Sequence, residues 1–376
     1  MVGEEPHPPY HRPPLSKAYL SGDKEADSLL IRPRDFYDAQ NVALRLGIRA
    51  ERIDRTANSI VLSDGSTLDY SHLALVTGAL PRRINLPGSD LKGVHYLRDI
   101  RDVDAIRGEV SAGKSAVIVG GGYIGLETAA SLRAAGMQVT VLEAMSRVLQ
   151  RVTCPQMSAF FTRVHEEEGV TLVTDTSVSA FTGDGALTGV VCGDGREFPA
   201  DLAIVGIGVL PNTALAETAD LEVNDGIVVD EFARTSDPLI VAAGDCTRHY
   251  NPVYERWLRL ESVQNANEQA RAAAKTIAGN PAAYHALPWF WSDQYDIKLQ
   301  IAGLSEGYDE MVVRGDIETG RSFTLFYLRA GRLIAADAIN RPKDFMAAKR
   351  AVLGGCAPGA AALADESLEL KATLGI

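Results

Sequence analysis

The stretch Ser115-Ala116-Val117-Ile118-Val119-Gly120-Gly121-Gly122-Tyr123-Ile124-Gly125 decides how the chain folds. Its first five residues are an apolar run of buried-strand length, and its last six fit Gly-x-Gly-x-x-Gly. Residues 123–135 read as a helix, and Gly136 follows them as glycine follows a helix C-terminus. Each glycine has a physical task in such a strand–turn–helix unit. Gly120 permits the tight turn, Gly122 lets backbone approach a pyrophosphate, and Gly125 lets the helix close on the strand. The helix start then presents unbonded N–H groups and a partial positive charge to the phosphates. Glu143 ends the next apolar run, 138–142, 23 residues after Gly120. An acid there accepts hydrogen bonds from ribose hydroxyls and repels a 2′-phosphate, so NAD(H) is expected rather than NADP(H). Arg147 is also a candidate nucleotide contact and lies close enough to blur that preference, though the segment lacks a dense basic cluster. A glycine turn alone is a weak signal, whereas strand, helix and distal acid together favour a dinucleotide.

The chain has 376 residues, too many for one ordinary core, so two or three domains are expected. It is 46% hydrophobic and 23% charged, the composition of a globular protein. The formal net charge of −12 argues against a nucleic-acid partner. No apolar run is long enough to span a bilayer. The first fourteen residues are acidic and proline-rich, unlike a secretory signal, so the cytoplasm is the expected compartment. Cys154, Cys192, Cys246 and Cys356 are far apart, which removes a Cys-x-x-Cys redox pair and a local zinc knuckle. His7 and His11 flank Pro8 and Pro9 and share no helix face, so no metal is expected.

Strand-like and helix-like segments alternate along most of the chain, which gives an α/β class. Residues 60–62 and 67–70 read as a hairpin around Asp64-Gly65. Short apolar strands are expected at 73–76, 202–207 and 239–243, and an alanine-rich helix at 266–278. After Pro288 aromatic residues crowd together and alternating strands follow, such as 322–328, marking a separate C-terminal domain.

Several further segments fall into a recognisable order. They are Tyr10-His11-Arg12-Pro13-Pro14-Leu15-Ser16-Lys17, Thr77-Gly78-Ala79, Gly244-Asp245, Glu261-Ser262-Val263-Gln264-Asn265-Ala266 and Trp289-Phe290-Trp291-Ser292-Asp293-Gln294. Together they resemble the FAD-dependent, NADH-using ferredoxin reductases that serve bacterial oxygenases. That resemblance implies two Rossmann-like nucleotide-binding domains, with the FAD domain split, plus a C-terminal α+β domain. Its boundaries are 1–96 and 212–286 for the FAD domain, 97–211 for the NAD domain and 287–376 for the C-terminal domain.

The resemblance also implies residue roles. Arg12 and Lys17 contact the flavin or its pyrophosphate, and Pro14 packs on the isoalloxazine. Glu4 meets the adenosine ribose, Ala50 the adenine side, and Arg98 holds the FAD from the domain junction. Thr77, Gly78, Ala79, Gly244 and Ser262 line the flavin, and Asp245 bonds the ribitol chain. Val263 and Trp291 lie at the ring. Gly206, Ile207 and Gly208 fall beside bound NADH, and Glu127 is a candidate contact near the nicotinamide. No general acid or base is required between two cofactors, so none is assigned.

The implied acceptor is a 2Fe–2S ferredoxin, with Arg256, Arg259, Arg341 and Lys343 as candidate docking cations on a monomer or homodimer. Rubredoxin or peroxide reduction is the alternative, and a flavin-deficient NAD-binding remnant is a third reading. Family members open with a first Gly-x-Gly-x-x-Gly for FAD. Residues 1–4 resemble the strand after that turn, so about thirty residues of the first β-α-β unit are expected to precede them. Weak FAD affinity is accordingly expected of the 376-residue chain itself, and tight stoichiometric flavin would contradict that.

Overall fold

A computed structural model describes residues 1–376, and the chain divides into two compact units. The first unit comprises residues 1–11, 30–80 and 209–290, and the second comprises 12–29, 81–208 and 291–376.

The second unit is built on five parallel strands. Their order is Thr171–Val173, Gln138–Leu142, Ser115–Val119, Leu202–Val205 and Val94–His95. Ser115–Val119 is apolar throughout because it is central and covered on both faces. From it the chain steps to Gln138–Leu142 on one side and later to Leu202–Val205 on the other. That reversal opens a crevice at the carboxyl ends of the three strands, where ligands sit in such sheets. The helix Tyr123–Ala134 makes the first crossover, and Gly136 at φ +84° ends it. The strand expected at 202–207 stops at Val205, because Gly206-Ile207-Gly208 leaves the sheet and Gly208 takes φ +102°.

Two features of this unit went unread in the sequence: the helix Pro155–Glu167, and the antiparallel strands Val178–Asp184, Ala186–Cys192 and Glu197–Pro199. A second sheet orders Trp289–Gln294, Ile297–Gly303, Arg332–Ile339, Ser322–Arg329 and Glu310–Asp316. Phe323, Leu325 and Phe326 are fully buried there, and the helix Pro342–Leu353 packs on its central strand.

This sheet also buries a carboxyl group. Asp337 accepts from Tyr327 Oη at 2.6 Å and Thr153 Oγ1 at 3.0 Å. Burial pushes its pKa up to about 6, against the lowering effect of those bonds. The folded chain therefore holds this proton more tightly than the unfolded one, whose value is 3.8. Stability from this group is greatest below that value and falls as pH rises towards about 6, by a total of about 3 kcal/mol. Asp337→Asn keeps an acceptor and removes the charge. The unfolding midpoint of the variant is expected to gain on wild type as pH is raised from 4 to 7, and a constant difference between the two would refute this.

The first unit holds smaller sheets. Leu73–Leu75 pairs in parallel with Ile240–Ala242, the cores of the strands expected at 73–76 and 239–243. The expected hairpin forms from Ser59–Leu62 and Thr67–Asp69, with Ala50–Asp54 as its third strand. Val2–Gly3 lies parallel to Arg45–Leu46. Ile53, Leu62, Leu75, Ile227 and Ile240 form the core. The alanine-rich helix runs Val263–Ile277 and so starts before residue 266, because Ser262 caps it by accepting from the Asn265 N–H at 3.1 Å. No helix of the chain is long and apolar enough to cross a membrane.

Candidate nucleotide and flavin site

The glycine turn shows why three of its positions exclude other residues. A Cβ on Gly120, at φ +112°, would lie 2.4 Å from the Gly206 carbonyl oxygen. One on Gly125 would lie 2.1 Å from the Gly120 oxygen, which sets how closely helix and strand approach. Gly121 is walled by Val148, 2.9 Å from its would-be Cβ. Gly122 is different. Its φ of −80° suits any residue, and nothing lies within 4 Å of a Cβ placed there. The protein itself gives no reason for glycine at 122. That open space faces a helix start with no side-chain cap, which is the cradle a pyrophosphate fills. Tyr123 begins the helix, and Ile124 leaves an apolar side chain exposed on its first turn.

Glu143 reaches back to this turn. Its Oε2 accepts from the Gly121 N–H at 2.7 Å and its Oε1 from the Met145 N–H at 2.8 Å. The carboxylate is thus fixed, half-buried, at the end of its strand and keeps lone pairs for ribose hydroxyls. Arg147 turns away into its own loop, donating to the carbonyls of Thr153 and Gln150 and to Ser158 Oγ. Its guanidinium is committed there, which leaves the acidic character of the site to Glu143.

Glu127 is the surprise of this region. Only 2% exposed, its carboxylate accepts from Lys17 Nζ at 2.5 Å and from Ser16 Oγ and Ser292 Oγ at 2.6 Å each. Lys17 is therefore a pairing partner rather than a solvated surface charge. Ser16 and Ser292 went unassigned in the sequence, though both lie in segments quoted above. Partners 111 and 165 positions from Glu127 leave no spacing signal, so only the fold could join them. Near them, Arg12 donates to the Arg98 carbonyl at 2.8 Å. Pro14 lies in the 3-10 turn Pro13–Ser16, and Arg98 precedes the helix Ile100–Arg107, its N–H held by Asp102. Trp291 is half-buried on the strand Trp289–Gln294.

In the first unit, Thr77-Gly78 leaves the strand Leu73–Leu75, and Gly244-Asp245 leaves Ile240–Ala242. The two strands are paired in register, so both loops emerge at the same sheet edge. Gly78 and Gly244 take φ of +65° and +88°, and Val76 stands 63% exposed beside them. A Cβ on Gly244 would touch Ala266, which places the start of the helix Val263–Ile277 against this loop. Ser262 spends its hydroxyl on the helix cap, and Val263 is half-buried beside it. Left-handed glycines, an apolar exposed rim and a helix start suit a flat ring with a polar edge, so these residues fit a flavin. Elsewhere, Glu4 is exposed and 4.0 Å from Arg49, the neighbour of Ala50.

Residues 1–270 match the family model for pyridine nucleotide-disulphide oxidoreductases, and residues 289–374 match a reductase C-terminal model. The chain belongs to the pyridine nucleotide-disulphide oxidoreductase family. Among members of this family, putidaredoxin reductase of Pseudomonas putida is 45% identical over 377 residues, spanning 99% of this chain and 89% of that protein. A ferredoxin–NAD(P)(+) reductase of a Sphingomonas species is 46% identical over 355 residues, spanning 94% and 86%. The crystal structure of a covalent putidaredoxin reductase–putidaredoxin complex superposes with a TM-score of 0.96 at 44% identity, covering 100% of this chain and 91% of that one. The chain is thus an α/β oxidoreductase of the ferredoxin-reductase branch, whose cofactors are FAD and NAD(H). All four cysteines of this chain are free.

Proposed function

We propose that this chain passes electrons from NADH through FAD to a 2Fe–2S ferredoxin that supplies an oxygenase. The observation that carries the reading is the cradle at Gly122, backed by an acid in place for the ribose and by the buried Glu127, two residues beyond the turn, paired with the half-buried Lys17. Bound flavin supplies the chemistry: it takes a hydride and returns electrons singly. The protein's part is placement. Gly120, Gly121, Gly122, Tyr123, Ile124 and Gly125 seat the dinucleotide, Glu143 holds its ribose, and Gly206-Ile207-Gly208 borders it. In the first unit Thr77, Gly78, Ala79, Gly244, Asp245 and Val263 are assigned to the flavin. In the second, Arg12, Pro14, Lys17, Arg98 and Trp291 are. Glu127 holds Lys17 in place. No cysteine relay is needed, because Cys154, Cys192 and Cys246 are buried singly. The unbridged cysteines suit a reducing compartment, so the cytoplasm is the proposed setting.

Of the four candidate docking cations, Arg259 is bound to Asp225 and Glu261, and Arg341 to Asp344 and Glu366. Lys343 instead lines a cavity with Met346, Arg350, Lys371 and Ile376, a basic rim with an apolar floor. We assign this groove to the acidic ferredoxin. Lys343→Glu combined with Arg350→Glu is expected to raise the KM for ferredoxin about tenfold at low salt. An unchanged KM would exclude the groove.

The activity itself is tested by NADH-dependent ferricyanide reduction after reconstitution with FAD. Turnover that requires both cofactors supports the reading. NADH binding without turnover would make the chain a binding protein only.

A further inference from the structure

Five side chains of the second unit form an unbroken line of hydrogen bonds that the electron route does not use. Tyr295 Oη lies 3.2 Å from His165 Nδ1, and His165 Nε2 lies 2.8 Å from Gln294 Oε1. Gln294 Nε2 donates to Ser292 Oγ at 3.1 Å, and Ser292 Oγ donates to Glu127 Oε1 at 2.6 Å. His165, Gln294, Ser292 and Glu127 are all buried, while Tyr295 is half-buried at the outer end.

The direction of every bond follows from the inner end. A carboxylate only accepts, so Ser292 must donate to it. The Ser292 oxygen then accepts from the Gln294 amide NH2, which leaves the Gln294 carbonyl facing His165. His165 must therefore carry its proton on Nε2, and its Nδ1 is free to accept from Tyr295. Burial pushes the His165 pKa below its usual range, which keeps the ring neutral as this arrangement requires. The other charged groups around the outer end are Glu168, Arg133 and Arg321, with Glu167 and Asp296 bound to Arg321.

Tyr295 supplies an independent sign that the line matters. It sits in the two-residue turn between Trp289–Gln294 and Ile297–Gly303 with φ +55°. Glycine or asparagine is the usual occupant of such a position, and an aromatic residue there is strained. The strained residue is the one whose hydroxyl closes the line.

We propose that His165, oriented by Tyr295, is a positioning residue that acts through Gln294 and Ser292 to hold the Glu127 carboxylate, and with it the Lys17 ammonium, in the geometry the flavin step needs. This rests on the flavin reading above. Glu127 gives Oε2 to Ser16 and Lys17 and Oε1 to Ser292. Loss of the Ser292 donor frees the carboxylate to rotate, and Lys17 moves with it.

Two measurements test this. Nitrogen NMR of labelled histidine reads the His165 tautomer with or without flavin. A single Nε2–H tautomer is expected in wild type and in Tyr295→Phe, where only the Nδ1 resonance shifts as that nitrogen loses its donor; an Nδ1–H tautomer overturns the proposal. Stopped-flow flavin reduction by NADH then compares Ser292→Ala, His165→Leu and His165→Gln. The glutamine amide can replace the Nε2 donor. Ser292→Ala and His165→Leu are expected to slow the step about tenfold with NADH affinity held within about twofold, and His165→Gln to recover most of the rate. Equal slowing in the two His165 variants, or a parallel loss of NADH affinity, means packing alone and overturns the proposal. If wild-type flavin is not reduced while the Nε2–H tautomer is present, the electron-transfer reading fails, and the flavin half of this proposal fails with it.

Discussion

Replacing Gly122 with alanine is expected to weaken NADH binding by at least about thirtyfold, or about 2 kcal/mol, without lowering the unfolding midpoint. The backbone at 122 is already in a conformation alanine adopts, and the added methyl meets no protein atom. Its only cost is to the ligand, because it pushes the pyrophosphate off the N–H groups of the helix start. Charge-assisted bonds of that kind contribute about 1.5–3 kcal/mol each. Gly120→Ala is the contrast. There φ is +112° and the methyl would press on the Gly206 carbonyl, so strain and clash act on the fold as well. That variant loses stability and binding together. Fluorescence titration with NADH and thermal unfolding of both variants separate the two effects. An equal drop in midpoint for Gly122→Ala would mean that this glycine serves the fold and not a ligand.

Lys17→Met is expected to destabilise the second unit by about 3 kcal/mol, because it strands a buried carboxylate. The low end of the usual range applies because Ser16 and Ser292 still donate to Glu127. Adding Glu127→Met removes the stranded charge, so the double variant is expected to be more stable than Lys17→Met alone. Denaturant unfolding of the four proteins in this cycle gives the coupling. Additive losses would show that the pair contributes nothing beyond its separate parts. The positions of Lys17, in an N-terminal loop, and Glu127, inside a helix, make such coupling invisible to inspection of either segment.

That pair marks where sequence reasoning reached its limit. The nucleotide-binding unit was legible because its signal is local: Ser115–Val119, the glycines and Gln138–Leu142 are set by nearest-neighbour sterics and apolar patterning. The apolar strands before the two glycine loops of the first unit were legible for the same reason, whereas the loops themselves were legible only through the resemblance. The helix Val263–Ile277 began earlier than alanine content suggested, since a single serine cap outweighs the weaker propensities of residues 263–265. The apolar run 202–207 predicts a longer strand than Leu202–Val205 because Ile207 is apolar yet sits between two glycines that turn the chain away. What could not be read was any contact made at long range. The environment of Glu127, the burial of Asp337 and the commitment of Arg147, Arg259 and Arg341 to internal partners all depend on the tertiary structure.

The most direct test of the account is cytochrome c reduction by NADH, FAD and the purified chain, with and without a 2Fe–2S ferredoxin. The account predicts fast reduction only when ferredoxin is added, with a rate that saturates in ferredoxin and falls with salt. Cytochrome c reduction that is equally fast without ferredoxin, or ferricyanide turnover that ferredoxin cannot intercept, would contradict it.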